Sequence, residues 1–227
     1  MSRVARPAAP RTALSPERIA EAALQLIDDE GLDGFSMRSL GARLGVEAMA
    51  IYHHYPSKGH VLDAVMDHLL ADWRWPPSGS ATALERLRRA MHGYRGIALA
   101  HPHAFPLLVG RRFNSPGVFA VYERLLQLFA ELGLDAAATA RWFRTLGYFV
   151  SGAGMADIAS REIEPDATSL RLQHAPQSVT LPHVAAVAPH LRVDQLDAVF
   201  DFGLETLLSA LERQARPPRS ARPRVGR

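Results

Sequence analysis

The residues best suited to chemistry gather in one stretch, Ser36 to Lys58, SMRSLGARLGVEAMAIYHHYPSK. Arg38, Tyr52, His53, His54 and Lys58 bring positive charge and hydrogen-bond donors close together along the chain. Ala48 and Met49 beside them offer only apolar contact, for example to a thymine methyl. On a short exposed helix, such a mixture of cations, a phenol and imidazoles suits the phosphates and base edges of a DNA groove. His53 is the expected hydrogen-bonding reader of bases.

Elsewhere the sequence argues against catalysis. There is no cysteine, hence no disulfide, no thiolate zinc site and no cysteine nucleophile. His101 and His103 flank Pro102, but no carboxylate stands at a spacing such as His-Glu-x-x-His, so no metal site is expected. Gly152-Ala153-Gly154 lacks the preceding strand and third glycine of a nucleotide loop. No Ser–His–Asp, paired-carboxylate or lysine-centred set stands out, so neither an enzyme nor a bound cofactor is expected.

Two short helices must hold the reading set in place. Ser36 is a hydroxyl residue suited to cap the first, which carries Leu40 and Leu44 on one face. Gly45 is the residue type that ends a helix in the left-handed conformation. The second runs over about 48–54, with Ile51 and Tyr55 turned inward, until Pro56 stops it. Helix, glycine-bearing turn and helix together make a helix-turn-helix plan.

A longer helix precedes this pair, starting at Ser15-Pro16-Glu17 with Ile19, Ala22, Ala23, Leu26 and Ile27 on its inner stripe, and ending at Gly31. Another follows from Ser57, carrying Val61, Leu62, Val65, Met66 and Leu69 toward Trp73. Pro76, Pro77, Ser78, Gly79 and Ser80 break the pattern and mark a domain boundary. Beyond them the reading is helical throughout: 82–100, a short piece ending near Gly110, 115–133, about 135–161, and 193–211. The stretch 164–189 reads as a loop with a short helix. Gly147, Gly152 and Gly154 lie inside the long apolar helix, where each costs about 1 kcal/mol against alanine; they predict close approach by a partner helix or a ligand. The division is a flexible basic arm (1–14), a DNA-binding domain (15–75), a larger domain for ligand and dimer (81–214) and a disordered basic tail (215–227).

From Ser15 to about Trp73 the chain resembles the DNA-binding domain of the TetR family of bacterial transcriptional regulators. The match rests on AALQLIDDEGLDGFSMRSLGARLGV followed by IYHHYPSKGHVLDAVMDHLL. It implies an all-α homodimer, each subunit pairing a three-helix DNA-binding domain with a larger ligand-binding domain. It implies that Arg38, after Ser36, contacts a phosphate or base, that Tyr52 and His54 touch backbone and base edges, and that Lys58 stands at a helix start where a phosphate is held. The stretch RTLGYFVSGAGMAD is similar to the ligand-contacting helix of the tetracycline repressors. Yet the position of their metal-binding histidine falls on Tyr148, and that of their glutamate on Ala156, so a tetracycline–magnesium inducer is not expected. The resemblance also implies a pocket among the central helices and a four-helix dimer interface from residues 141–161 and 193–211 of both subunits.

From the residues, the pocket candidates are His101, Phe105, Leu108, Arg112, Phe113, Tyr122, Trp142, Leu146, Tyr148, Phe149, Met155 and Asp157, an apolar set with few polar groups, suited to a lipophilic small molecule. The last helix has an apolar face wide enough for its own core and a second subunit, and Leu204 is expected at that interface. The expected partners are a palindromic DNA operator, a small-molecule effector and a second copy of the chain. The chain has no membrane-spanning run and no secretory signal pattern, which reads as a cytoplasmic protein. A formal net charge of +3 does not by itself argue for nucleic acid. Two other readings stay open: a DNA-binding protein without an inducer, and an enzyme using the pocket as its active site.

Overall fold

Ser15 caps the first helix, its hydroxyl accepting from the Arg18 N–H at 3.3 Å, and Pro16 fills the first helical position, where its missing N–H is no loss. The computed structural model describes residues 13–71, 73, 81–111, 115–162 and 181–215, and all regular structure among them is helical. The N-terminal unit comprises α1 (Pro16–Gly34), α2 (Met37–Leu44), α3 (Ala48–Tyr52) and α4 (Lys58–Ala71). The rest comprises α5 (Ala83–Ala100), α6 (Phe105–Gly110), α7 (Pro116–Glu131), α8 (Ala136–Glu162), α9 (Pro182–Val187) and α10 (Leu196–Ala215). No helix among the described residues is long and apolar enough to cross a membrane.

Gly31 interrupts α1 as expected: at φ 75° it leaves the helix, and one more turn follows to Gly34. α2 begins with a reciprocal cap, in which the Ser36 hydroxyl accepts from the Ser39 N–H at 3.0 Å and Ser39 Oγ accepts from the Ser36 N–H at 2.9 Å. α3 is shorter than its sequence suggested. It closes at Tyr52, and the Ile51 carbonyl accepts from both the His54 and Tyr55 N–H groups at 2.9 Å, so His53 and His54 lie in the turn that Pro56 enforces.

The core of the N-terminal unit is the stripe foreseen on α1 (Ile19, Ala23, Leu26, Ile27) closed by Leu40, Ile51, Val61 and Val65, all essentially sealed from solvent. α4 continues from this core onto α7, so one helix belongs to both halves of the molecule. The segment 76–80, expected as the boundary, lies outside the described residues, as do most of the arm 1–14 and the tail 215–227. Residues 163–180 are likewise outside them; α9 supplies a short helix within the stretch read as a loop.

In the larger unit α8 packs against α5, α6, α7 and α10. Gly154 is the point of close approach: a Cβ there would stand 2.8 Å from the Phe105 ring and 3.0 Å from Ala98 Cβ. Gly147 and Gly152 meet no other part of their own subunit, so close approach by a helix of the same subunit is seen at Gly154. Leu204 corrects the sequence reading. It is fully buried in its own subunit's core with Phe200, Leu208 and Leu211, because residues three and four apart share one face; Val199 and Phe202 are the large apolar residues of α10 left outside.

Candidate nucleic-acid interface and ligand cavity

Gly41 lets α2 and α3 meet. A Cβ at this position would lie 2.8 Å from the Val46 carbonyl oxygen and 3.3 Å from the Ala48 nitrogen, both backbone atoms with little freedom to yield. Gly45 then turns the chain at φ 68°, with its N–H donating to the Ala42 carbonyl at 3.2 Å. α3 is fastened at its far end by Tyr55, whose hydroxyl donates to the Pro16 carbonyl at 3.1 Å, and burial raises its phenol above the usual tyrosine range. Ile51 is the buried pin between these two fixings.

What remains outside is the reading set. Met49 is 66 % exposed and Tyr52 41 % exposed, Ala48 is half-buried against the core, and Arg38, His53 and His54 are exposed. Among the described residues Arg38 has no ion pair or hydrogen bond, so its guanidinium is free for an anion. Ser36 is taken up by its cap. Lys58 is engaged within the chain: its Nζ donates to the Phe35 carbonyl at 2.7 Å and stands 5.2 Å from the centre of the Phe35 ring. This lysine therefore braces the start of α4 against the loop between α1 and α2, with N–H groups left over for a phosphate.

Behind the helix-turn-helix lies a cavity of about 200 Å³. α4 gives it Met66 and Leu70, with Trp73 just beyond its end; α5 gives Leu87, Met91 and Tyr94; α6 gives Leu108, with Arg111 at its C-cap. α7 adds Val118, Tyr122, Leu125 and Phe129, and α8 adds Phe143, Arg144, Leu146 and Tyr148 with Val150 and Ser151. The walls are aromatic and ordered by ring contacts: Trp73 and Tyr94 lie 5.4 Å apart, Tyr122 meets Phe143 edge-on at 5.0 Å, and Trp73 Nε1 donates to the Ala90 carbonyl at 3.0 Å.

Of the pocket residues expected from sequence, Leu108, Tyr122, Leu146 and Tyr148 line this cavity. Arg112 and Phe113 lie outside the described residues. Six others are placed elsewhere, each for a physical reason. His101 Nδ1 pairs with the Asp28 carboxylate at 2.8 Å, tying the end of α5 to α1. Phe105 is fully buried against Tyr94 and under Gly154. Trp142 donates to Gln214 Oε1 at 2.8 Å, and Phe149 stacks on Phe200 at 5.5 Å, so both turn toward α10. Met155 is exposed on the outer side of α8. Asp157 is buried in an ion pair with Arg95 at 2.6 Å.

Arg95 is itself buried and bonds Asp197 of α10 at 2.8 Å, with its guanidinium 4.6 Å from the Phe200 ring centre. That bond holds the Asp197 carboxyl below the usual carboxylate range. The group is a structural clamp joining α5, α8 and α10. No group of three or more metal-ligating side chains comes together among the described residues.

The sequence reading missed the α4 wall of the cavity and the latch beside it. Arg111 lines the cavity and also donates to Asp63 of α4 at 2.7 Å and to the Gly59 carbonyl at 3.4 Å. Ser115, the cap of α7, donates to Asp67 one turn further along α4. Asp63 and Asp67, four apart among the apolar residues of α4, were the available signal. The α6–α7 corner is thus bolted to the helix that carries the reading head.

Two family models match this architecture: bacterial regulatory proteins of the tetR family over residues 19–65, and the tetracyclin repressor-like C-terminal domain over residues 75–215. The chain belongs to the TetR family of transcriptional regulators. Among TetR-family relatives, it is 29 % identical over 222 residues to the HTH-type transcriptional repressor DrrR1 of Streptomyces coeruleorubidus, covering 89 % of this chain and 79 % of that one. It is 28 % identical over 215 residues to the class A tetracycline repressor of transposon 1721 from Escherichia coli, covering 89 % and 93 %. Among solved structures, apo ActR of Streptomyces coelicolor superposes with a TM-score of 0.74 at 26 % identity, covering 91 % of this chain and all of that one. ActR has also been solved in complex with actinorhodin. Regulators of this family bind DNA and regulate transcription.

Proposed function

We propose that this TetR-family regulator is a repressor that binds a palindromic operator as a homodimer and is released from it by a small lipophilic effector held in the cavity. Residues 15–75 act as the reading unit and 81–214 as the sensing and dimerising unit, and the protein works in the cytoplasm on its own DNA, not as an enzyme. The observation that carries this reading is that α4 supplies a wall of the cavity, through Met66 and Leu70, and also packs on α1, against which α2 of the helix-turn-helix is seated. A ligand that fits the cavity better with α4 displaced shifts the equilibrium toward a state in which the two reading heads no longer match successive major grooves, about 34–36 Å apart. The reading head contacts DNA through Arg38, Tyr52 and Lys58 on the backbone, with Met49, His53 and His54 toward base edges and Ala48 at the helix start.

Support for the dimer comes from the outer faces of α8 and α10. Met155, Val199 and Phe202 are large apolar residues exposed there, Phe202 by 76 %. A row of this kind on two neighbouring helices suits a self-complementary twofold interface.

The test begins with an operator selected from random duplexes and a ligand found by a thermal-shift screen of lipophilic compounds. Leu146 is 1 % exposed and lines the cavity, so Leu146→Trp should fill it. Ligand-induced release should then require at least about tenfold more ligand, a loss of roughly 1.4 kcal/mol, while operator binding without ligand persists. Release at an unchanged ligand concentration would show that the effector binds elsewhere. Joint loss of fold and DNA binding would make Leu146 plain core.

A further inference from the structure

One charge on the cavity wall is left unanswered. The charged side chains that line the cavity among the described residues are Arg111 and Arg144, and no aspartate, glutamate or lysine lines it with them. Arg111 is matched by Asp63 at 2.7 Å. Arg144 is exposed, and among the described residues no ion pair or hydrogen bond engages it. The contrast with α5 is plain: Arg86, Arg88 and Arg95 each face a carboxylate. Arg144 follows Phe143, whose ring meets Tyr122, and precedes Leu146, Gly147 and Tyr148 on the same wall. Gly147 leaves open space on that wall where a side chain would otherwise stand.

Resting on the reading of this cavity as the effector site, we propose that the effector is an aromatic acid whose flat ring body lies among Trp73, Tyr94, Tyr122 and Phe143 and whose carboxylate is held at the rim by Arg144. A planar guanidinium with no partner among the described residues presents parallel N–H donors that match a carboxylate with two bonds. Low-dielectric aromatic walls focus its field toward an entering anion and repel a cation. Aromatic faces meeting edge-on favour a flat body over a globular one of equal volume. Arg111, already bonded to Asp63, serves the latch to α4 and is not the first anchor.

The experiment titrates matched pairs of two- and three-ring aromatic carboxylic acids and their primary carboxamides, beginning with 2-naphthoate and 2-naphthamide, into the full chain by calorimetry. Each compound is also scored for release of the selected operator. Each pair has the same rings and differs in charge. The acid should bind on the order of tenfold tighter than the amide. Arg144→Gln should bring the ratio close to one, and Arg144→Lys should retain part of it, since it keeps the charge without the fork. A ratio near one in the unmodified protein, with both compounds releasing DNA, overturns the acid assignment and leaves the effector reading standing. A ratio that survives Arg144→Gln overturns the assignment of the anchor. If no pair in the set binds or releases DNA, the acid assignment fails, and an unaltered response of Leu146→Trp to the screened ligand would show the cavity reading failing with it.

Discussion

At the scale of single residues, partners separate positioning from contact. Tyr52 and Tyr55 sit three apart in one run, yet Tyr55 spends its hydroxyl on the Pro16 carbonyl while Tyr52 stays exposed. Lys58 does both kinds of work in this reading. Its bond to Phe35 fixes the start of α4, and its charge stands where a phosphate would approach the helix N-terminus. Lys58→Ala should therefore lower stability by about 1.5–3 kcal/mol, the worth of a charged hydrogen bond. It should also make the salt dependence of operator binding shallower by about one unit of slope. Denaturant unfolding and a salt titration measure the two separately. A stability loss with an unchanged slope would make Lys58 a brace alone.

At the scale of elements, small residues decide how closely helices approach. Alanine is the better helix former by about 1 kcal/mol, so propensity alone predicts that Gly41→Ala stabilises α2. The tertiary contact predicts the reverse, because the new methyl would meet the Val46 carbonyl oxygen at 2.8 Å. We expect a net loss of about 1–3 kcal/mol from overpacking and weaker operator binding as α3 is pushed off its seat. Thermal melts and operator affinity of the variant decide the sign. A gain in stability would mean that the α2–α3 turn relaxes without cost.

At the scale of the whole molecule, the latch of Arg111 and Ser115 onto α4 and the pairing of His101 with Asp28 bind the sensing unit to the reading unit at two points. In the proposed function these contacts are the route by which a ligand-driven shift in one unit reaches the other. The proposed dimer doubles every change at its interface. Phe202→Glu puts a carboxylate from each subunit into a patch that is apolar on α8 and α10, and should dissociate the dimer at a cost of several kcal/mol without unfolding the subunit. Sedimentation reads the mass and circular dichroism the fold. A variant that remains dimeric would place the interface on another face.

The sequence by itself determined the helices, most of their ends and the family. Caps such as Ser15, Ser36 and Ser115, breaks at Gly31 and Gly45, and apolar spacing are local signals, and each is realised in the fold. The helix-turn-helix was legible for the same reason, since one compact stretch carries it. What only the tertiary structure decided is which way the residues of α8 and α10 face. α8 is packed by α5, α6, α7 and α10, so it has no simple inside and outside for periodicity to reveal. Leu146 turns to the cavity, Trp142 and Phe149 to α10, Asp157 to Arg95 and Met155 outward. The same limit hid the α4 wall of the cavity, because a buried apolar residue on a helix reads alike whether its neighbour is another side chain or a space fit for a ligand.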